Sequence, residues 1–304
     1  MQTEFTNPLV SVLMTCYNRE IFIGDAIKSV LQSTYTNFEL IICDDCSFDT
    51  TYSIAAAYAE TDSRIQLYRN DKNVGDYPNR NIAASYAKGK YLKYVDSDDI
   101  IKPDGLYKMV LAMETYPAVA LGISQFTFDE KVIYPRLVSS EQAYKNHYFG
   151  LMFLSYGPTG AIIKTDVFKA LKGFTDERYI SDTIMWLRLS ALYPVAEIEP
   201  GVVEWRSHPA QEYQYGQDNY SYLRRDYPIS MESLNSKDCP LRQEDILIIK
   251  KRLQWKHARD ILSLMFKQGK PVLAFKIFFE SRLSLVQLYR GMLPYKSVKK
   301  SFTH

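Results

Sequence analysis

The chain has 304 residues, 46% hydrophobic and 24% charged, with a formal charge of +2. That composition is ordinary for a soluble globular protein, and the length allows one large α/β domain with an appendage or two modest domains. The near-neutral charge leaves no electrostatic footprint for nucleic acid, and no apolar run reaches the ~18 residues of a membrane-spanning helix.

The opening MQTEFTNP lacks a charged region followed by an apolar stretch, so no signal peptide is expected. Cys43 and Cys46 form a lone CxxC with no second ligand pair, which argues against zinc; free thiols point to a reducing, cytoplasmic compartment. Strand and helix patterns then alternate. LVSVLMTCY (9–17) reads as a first strand, and residues 21–32 place Ile23, Ala26, Ile27, Val30 and Leu31 on one helical face. FELIICDD (38–45) is the second strand, with Asp49 placed to cap the helix after it. RIQLYRN (64–70) is a third strand, 78–89 a helix ended by Gly89, and YLKYVD (91–96) a fourth strand. Pro103 and Asp104 open a helix running to Met113.

The middle third is less regular. Residues 118–128 and 132–135 read as strands, EQAYKNHYFGLMFLS as a helix, then a GPTG turn, the strand AIIK, and the helix TDVFKALKG closed by Gly173. SDTIMWLRLSALY (181–193) is a helix with Ile184, Leu187, Leu189 and Leu192 as its apolar positions. VAEIEPGVVEWRSH returns to strand and loop. From about residue 212 the pattern is helical, with 241–268 and 270–293 as a hairpin broken at QGKP. From Met265 onward eight basic residues face one acid, interleaved with aromatic side chains. Such a tail suits either an anionic membrane surface or the solvated face of a packed helix.

Repeated β–α–β units imply a mainly parallel sheet with helices on both faces, with ligands bound beyond the carboxyl ends of the strands. Thr15, Tyr17, Asp44, Asp45, Asp96 and Asp98 all end strands and should gather on one rim. Asp96 and Asp98, two apart, share a face if their segment is extended, and paired hard oxygens suit Mg²⁺ or Mn²⁺. The alternative is that Asp99 caps the next helix and the other two are solvated loop acids.

VSVLMTCYNRE, FELIICDDCSFDTT, NVGDYPNRNIAASYAKGKY and YVDSDD, in that order and spacing, resemble the nucleotide-sugar domain of inverting glycosyltransferases of family 2, which have a GT-A fold. GPTGAIIKTDVFKALKGFTDER, SDTIMWLRLSALYP and WRSH resemble that family's acceptor-side segment, its acidic helix and its late arginine–histidine turn. The resemblance covers about residues 8–210. It implies a GT-A domain over 1–211, with a nucleotide-binding half at about 8–115 and an acceptor-side half at about 116–211, followed by a helical extension over 212–304.

By the same resemblance, Tyr17 stacks on the nucleobase while Thr15 and Asp45 bond its polar edge, a carboxylate there favouring uracil. Asp44 is a structural partner. Arg80 lies near the carboxylates or the phosphates, or else ties helix to sheet as a salt bridge. Asp96 touches the ribose or a metal-bound water, Ser97 is a further donor contact, and Asp98 holds a Mn²⁺ or Mg²⁺ bridging the diphosphate. His208 completes the metal shell or grips a phosphate, with Arg206 behind it. Asp182 is the candidate general base, or a helix cap; Ser181 and Ile184 depart from the family pattern beside it. The implied activity is inverting transfer of one sugar from a nucleotide-sugar donor, UDP-linked, to a glycan or lipid-linked acceptor in bacterial surface polysaccharide synthesis, in the cytoplasm or at the inner face of its membrane. A non-catalytic sugar-nucleotide or carbohydrate binder of the same fold is the alternative, with a nucleotidyltransferase behind it. A dinucleotide-binding oxidoreductase is excluded because TCYNRE lacks the glycines of that turn. The missing QxxRW element argues against a processive synthase.

Overall fold

Strand β1 (Val10–Cys16) is buried along its whole length, as a central strand covered on both faces must be. It is followed by α1 (Ile23–Leu31), β2 (Phe38–Asp44), α2 (Thr51–Ala59), β3 (Ile65–Arg69), α3 (Asp76–Tyr86) and β4 (Tyr91–Tyr94). The next elements are β5 (Ile100–Ile101), α4 (Gly105–Thr115), β6 (Leu121–Ser124), β7 (Arg136–Val138) and α5 (Ser140–Asn146). Then come β8 (Ala161–Lys164), α6 (Thr165–Ala170), α7 (Ser181–Leu192), β9 (Val195–Ile198) and β10 (Val203–Glu204). The computed structural model describes residues 7–124, 132–208 and 211–294. The chain divides into two units at Gln211/Glu212.

The main sheet of the first unit runs β3-β2-β1-β4-β8-β6-β9-β7. β1 is parallel to both β2 and β4, β2 to β3, and β6 to β9, while β8 and β7 run antiparallel to their neighbours. The chain leaves β1 on one side to build β2 and β3, then returns to its other side as β4. This reversal opens a crevice at the carboxyl ends of β1 and β4. Helices α1 and α4 seal one face, with Val12, Ile27, Leu40, Ile42, Met109 and Met113 in a single core. A two-stranded antiparallel ribbon, β10 against β5, carries the segment after β10 to the same crevice.

The fourth strand stops at Tyr94 rather than Asp96. Asp99 N–H donates to the Asp96 carbonyl at 2.9 Å, so Asp96–Asp99 is a tight turn. The three carboxylates therefore converge through a turn, not through the alternation of an extended strand. Helix α3 ends at Tyr86, before Gly89. That glycine serves packing instead, since a Cβ there would lie 2.5 Å from the Ser11 backbone nitrogen. The strand expected at 132–135 begins at Arg136; Pro135 has no N–H for a ladder. Residues 125–128 of the strand expected at 118–128 lie outside the described residues. Helix α5 passes into a single π-helical turn, His147–Leu151, and Met152 takes a left-handed conformation that ends it. In α7 the buried apolar positions are Met185, Trp186, Leu187 and Leu189, whereas Leu192 is 49% exposed. Trp186 sets this face, its indole N–H donating to the Tyr156 carbonyl at 2.7 Å.

The second unit contains α8 (Glu212–Asp218), α9 (Ser221–Asn235), α10 (Gln243–Phe266), α11 (Pro271–Ser281) and α12 (Leu285–Arg290). Its core joins Tyr227, Ala258, Ile261, Leu264, Ala274 and Ile277. The second arm of the expected hairpin is two helices. Arg282 adopts φ 55° and Ser284 starts a capping box with Gln287, a signature present in the sequence as S-L-V-Q.

Candidate active site

The Asp96–Asp99 turn presents three carboxylates whose ligand oxygens lie within 4.8 Å of one another. Each has a different environment. Asp96 Oδ1 accepts from Arg80 Nη1 at 2.7 Å. Burial alone would raise its pKa, but the Arg80 charge and hydrogen bond hold it below the usual carboxylate range. Asp98 Oδ2 accepts from Arg19 Nε at 2.9 Å and lies 3.0 Å from His208 Nε2. Asp99 is 1% exposed; its Oδ1 accepts from Arg206 N–H at 3.1 Å, and its Oδ2 is buried with no hydrogen-bond partner. Burial, then the neighbouring Asp96 and Asp98, push Asp99 up to about 8. It does not cap α4, whose N-cap is Asp104.

A divalent cation fits this set. Three hard oxygens converge, and one is a buried acceptor lacking a donor, which a cation would satisfy. Asp99 is thus a ligand candidate that sequence reasoning passed over; its burial comes from the ribbon β5–β10, which local sequence does not reveal. Arg19, within the VSVLMTCYNRE stretch, is a further site residue to which the sequence assigned no role. It follows β1 directly, and its Nη1 donates to the Tyr17 carbonyl at 3.2 Å while its Nε grips Asp98.

His208 stacks on Phe22 at 4.4 Å between ring centroids. Arg206 Nε donates to the Asp98 carbonyl. The WRSH turn therefore closes over the carboxylate turn from 108 residues away in sequence.

On the β1 side, Tyr17 is 40% exposed and meets Phe48 edge-on at 6.1 Å. Phe48, in the loop after β2, is 83% exposed and adds a second aromatic surface to the rim. Thr15 and Ser97 are buried at 9% and 4% exposure. Asp45 is also engaged within the protein. Its Oδ1 accepts from Val74 N–H and Asn70 Nδ2, and its Oδ2 from Gly75 N–H, at 2.8–2.9 Å. It latches the 70–75 loop, where Gly75 holds φ +94°, a conformation that L side chains rarely adopt. Asp44 is fully buried, accepting from Ser47 N–H and pairing with Arg69.

Arg80 takes the salt-bridge role. It is 7% exposed and joins Asp76 on its own helix to Asp96 in the turn after β4, both at 2.7 Å. Asp182 is 9% exposed, in the first turn of α7. It is not the cap: the N-cap is Ile180, and Asp182 Oδ1 accepts from Thr183 N–H at 2.6 Å. Burial pushes it up to about 7, against the opposing pulls of Thr183 N–H, the Tyr77 hydroxyl and Arg80. Ser181 closes the preceding loop, its Oγ accepting from Thr175 N–H at 2.7 Å. The GPTG turn also reaches the site: Thr159 Oγ1 accepts from Asp96 N–H at 3.2 Å, and its carbonyl accepts from the fully buried Lys93. Burial pushes Lys93 down to about 7.

The family described as Glycosyl transferase family 2 matches residues 11–172. Bacillus subtilis EpsE, named as a glycosyltransferase, is 31% identical over 75% of this chain and 80% of its own length. The chain belongs to glycosyltransferase family 2. An Escherichia coli family member, WfgD, named as a UDP-Glc:α-D-GlcNAc-diphosphoundecaprenol β-1,3-glucosyltransferase, is 45% identical over 30% of this chain and 36% of that protein. An uncharacterised Haemophilus influenzae glycosyltransferase is 38% identical over 35% of this chain, and the match spans 33% of it. Among solved structures, Staphylococcus aureus TarS residues 1–349 in complex with UDP-GlcNAc superposes with a TM-score of 0.62 at 18% identity, covering 93% of this chain and 78% of that one. The mannosyltransferase PcManGT of Pyrobaculum calidifontis, in complex with GDP-Man and Mn²⁺, gives 0.63 at 17% identity, with the same coverage. At those identities the likeness is one of fold, the GT-A fold.

Proposed function

We propose that this glycosyltransferase moves a single sugar, with inversion, from a UDP-sugar to a hydroxyl of a glycan or lipid-linked acceptor in bacterial surface polysaccharide synthesis. The observation carrying this reading is the Asp96–Asp99 turn, three converging carboxylates at the β1/β4 switch point with one oxygen lacking a donor. A bound Mn²⁺ or Mg²⁺ would stabilise the charge on the departing nucleoside diphosphate. Asp96, Asp98 and Asp99 would hold it, with His208 beside Asp98. Arg19, held on Asp98, would set a positive charge beside the diphosphate. Tyr17 and Phe48 offer faces for the base, and Thr15, Asp45 and Ser97 line or brace the wall behind it.

Asp182 is assigned the proton of the attacking hydroxyl. Its pKa near 7 suits a general base at neutral pH, because its ionised form is populated while still basic enough to accept. Direct displacement with no enzyme nucleophile inverts the anomeric centre. WfgD by its name uses UDP-glucose and a diphosphoundecaprenol acceptor, which supports a UDP-sugar and a lipid-linked acceptor at the inner face of the cytoplasmic membrane.

The test is nucleoside diphosphate release from a panel of UDP- and GDP-sugars, with and without Mn²⁺, in the presence of GlcNAc-diphospholipid acceptors. Release that needs Mn²⁺, prefers UDP-sugars and is lost in Asp98→Asn supports the reading. Binding of donor without any release, across the acceptor panel, replaces it with the non-catalytic binder.

A further inference from the structure

Helices α11 and α12 each carry apolar side chains on the side that does not pack into the core. On α11, Ala274, Ile277 and Phe278 are buried, whereas Val272, Phe275 and Phe279 are 83%, 53% and 73% exposed. Their spacing of three and four places them in one stripe. On α12 no residue is buried, and Leu285, Val286 and Tyr289 are 73%, 61% and 60% exposed. Isolated exposed apolar residues need no explanation, but two consecutive helices that each expose several do.

The charges around this stripe say what covers it. Between Met265 and Leu293 the chain has five cations, Lys267, Lys270, Lys276, Arg282 and Arg290, and one acid, Glu280. Glu280 is already held by Arg224 of α9, two hydrogen bonds at 2.8 and 2.9 Å. The exposed apolar side chains thus lie in a segment of net positive charge. A second copy of the chain would bring like charges together, so self-association is disfavoured. An anionic lipid surface answers both features: side chains enter the acyl boundary while lysine and arginine meet the headgroups. No helix among the described residues is long and apolar enough to cross a membrane, so the attachment is interfacial.

We infer that α11 and α12 form a docking surface for an anionic lipid bilayer, built from Val272, Phe275, Phe279, Leu285 and Val286 together with the five cations of the same segment. The inference goes beyond the transfer reaction and is read separately from it. The test is flotation of the full chain with vesicles of phosphatidylcholine alone or with a quarter phosphatidylglycerol. The full chain is expected to float with the anionic vesicles at least about tenfold more than with neutral ones. Phe275→Ser/Phe279→Ser and, separately, Lys267→Gln/Lys276→Gln/Arg290→Gln should each remove most of that gain. Circular dichroism and donor release in solution should stay unchanged. The charge variant alters only exposed side chains, so it decides the matter if the phenylalanine variant misfolds. Equal partition to both vesicle types overturns the inference. So does a dimer in sedimentation velocity that Phe275→Ser/Phe279→Ser dissociates, since the face would then pair with itself.

Discussion

Two buried ionisable residues at the site give opposite expectations on substitution. Arg80 compensates Asp76 and Asp96 from a position 7% exposed. Arg80→Ala leaves two carboxylates facing a low-dielectric gap and should destabilise the first unit by roughly 3 kcal/mol in urea titration. Asp182 stands the other way. Its folded pKa of about 7 lies above the ordinary 3.8, so the folded state keeps a proton that the unfolded chain releases. Stability from this group is therefore lost as pH rises from about 4 to about 7, reaching a cost on the order of 4 kcal/mol above it. Asp182→Asn should melt higher than the parent at pH 8 and equally at pH 4, while abolishing transfer. In the parent, donor turnover should rise with pH through about 7, following the ionised base. A variant that loses stability at pH 8 removes the argument for a buried, strained carboxyl.

At the scale of elements, the 70–75 loop depends on Asp45 and Gly75 together. Asp45→Ala removes three acceptor bonds and orphans two backbone N–H groups, about 2–4 kcal/mol by thermal or chemical melting. Gly75→Ala forces a Cβ into φ +94° and should cost about 1–2 kcal/mol. Both should weaken UDP binding by calorimetry without changing the metal requirement. This loop also shows where sequence reading reached its limit. The β–α alternation was legible because periodicity is local, and so were the rim positions of Tyr17, Asp45, Asp96 and Asp98. Chain reversal at Asp96–Asp99 was not, because YLKYVD is apolar enough to continue a strand and only the Asp99-to-Asp96 bond ends it. That Asp45 also braces the 70–75 loop was not legible, since a carboxylate bonded to backbone N–H groups looks the same in sequence as a free one. The roles of Asp99, Arg19 and Phe48 depend on neighbours from other loops. The break at Arg282 was missed although Ser284 and Gln287 spell a capping box.

For the whole molecule, the division at Gln211/Glu212 separates two cores that should respond differently to ligand. UDP with Mn²⁺ at a hundred times its dissociation constant adds about 2.7 kcal/mol to whichever unit binds it. For about 200 residues that is a rise of roughly 5–10 °C. Differential scanning calorimetry should show the shift in the transition belonging to the first unit, with the helical unit unmoved. An equal shift in both would mean that the two melt as one cooperative body.

The pairing of Asp98 with Arg19 and His208, and of Asp96 with Arg80, has a practical corollary. These acids bring their own counter-ions, so chelators such as EDTA should strip activity yet leave the architecture intact, unlike small domains that collapse without zinc. The apoprotein is then a durable starting material, and the order in which cation and nucleotide arrive can be timed from it directly.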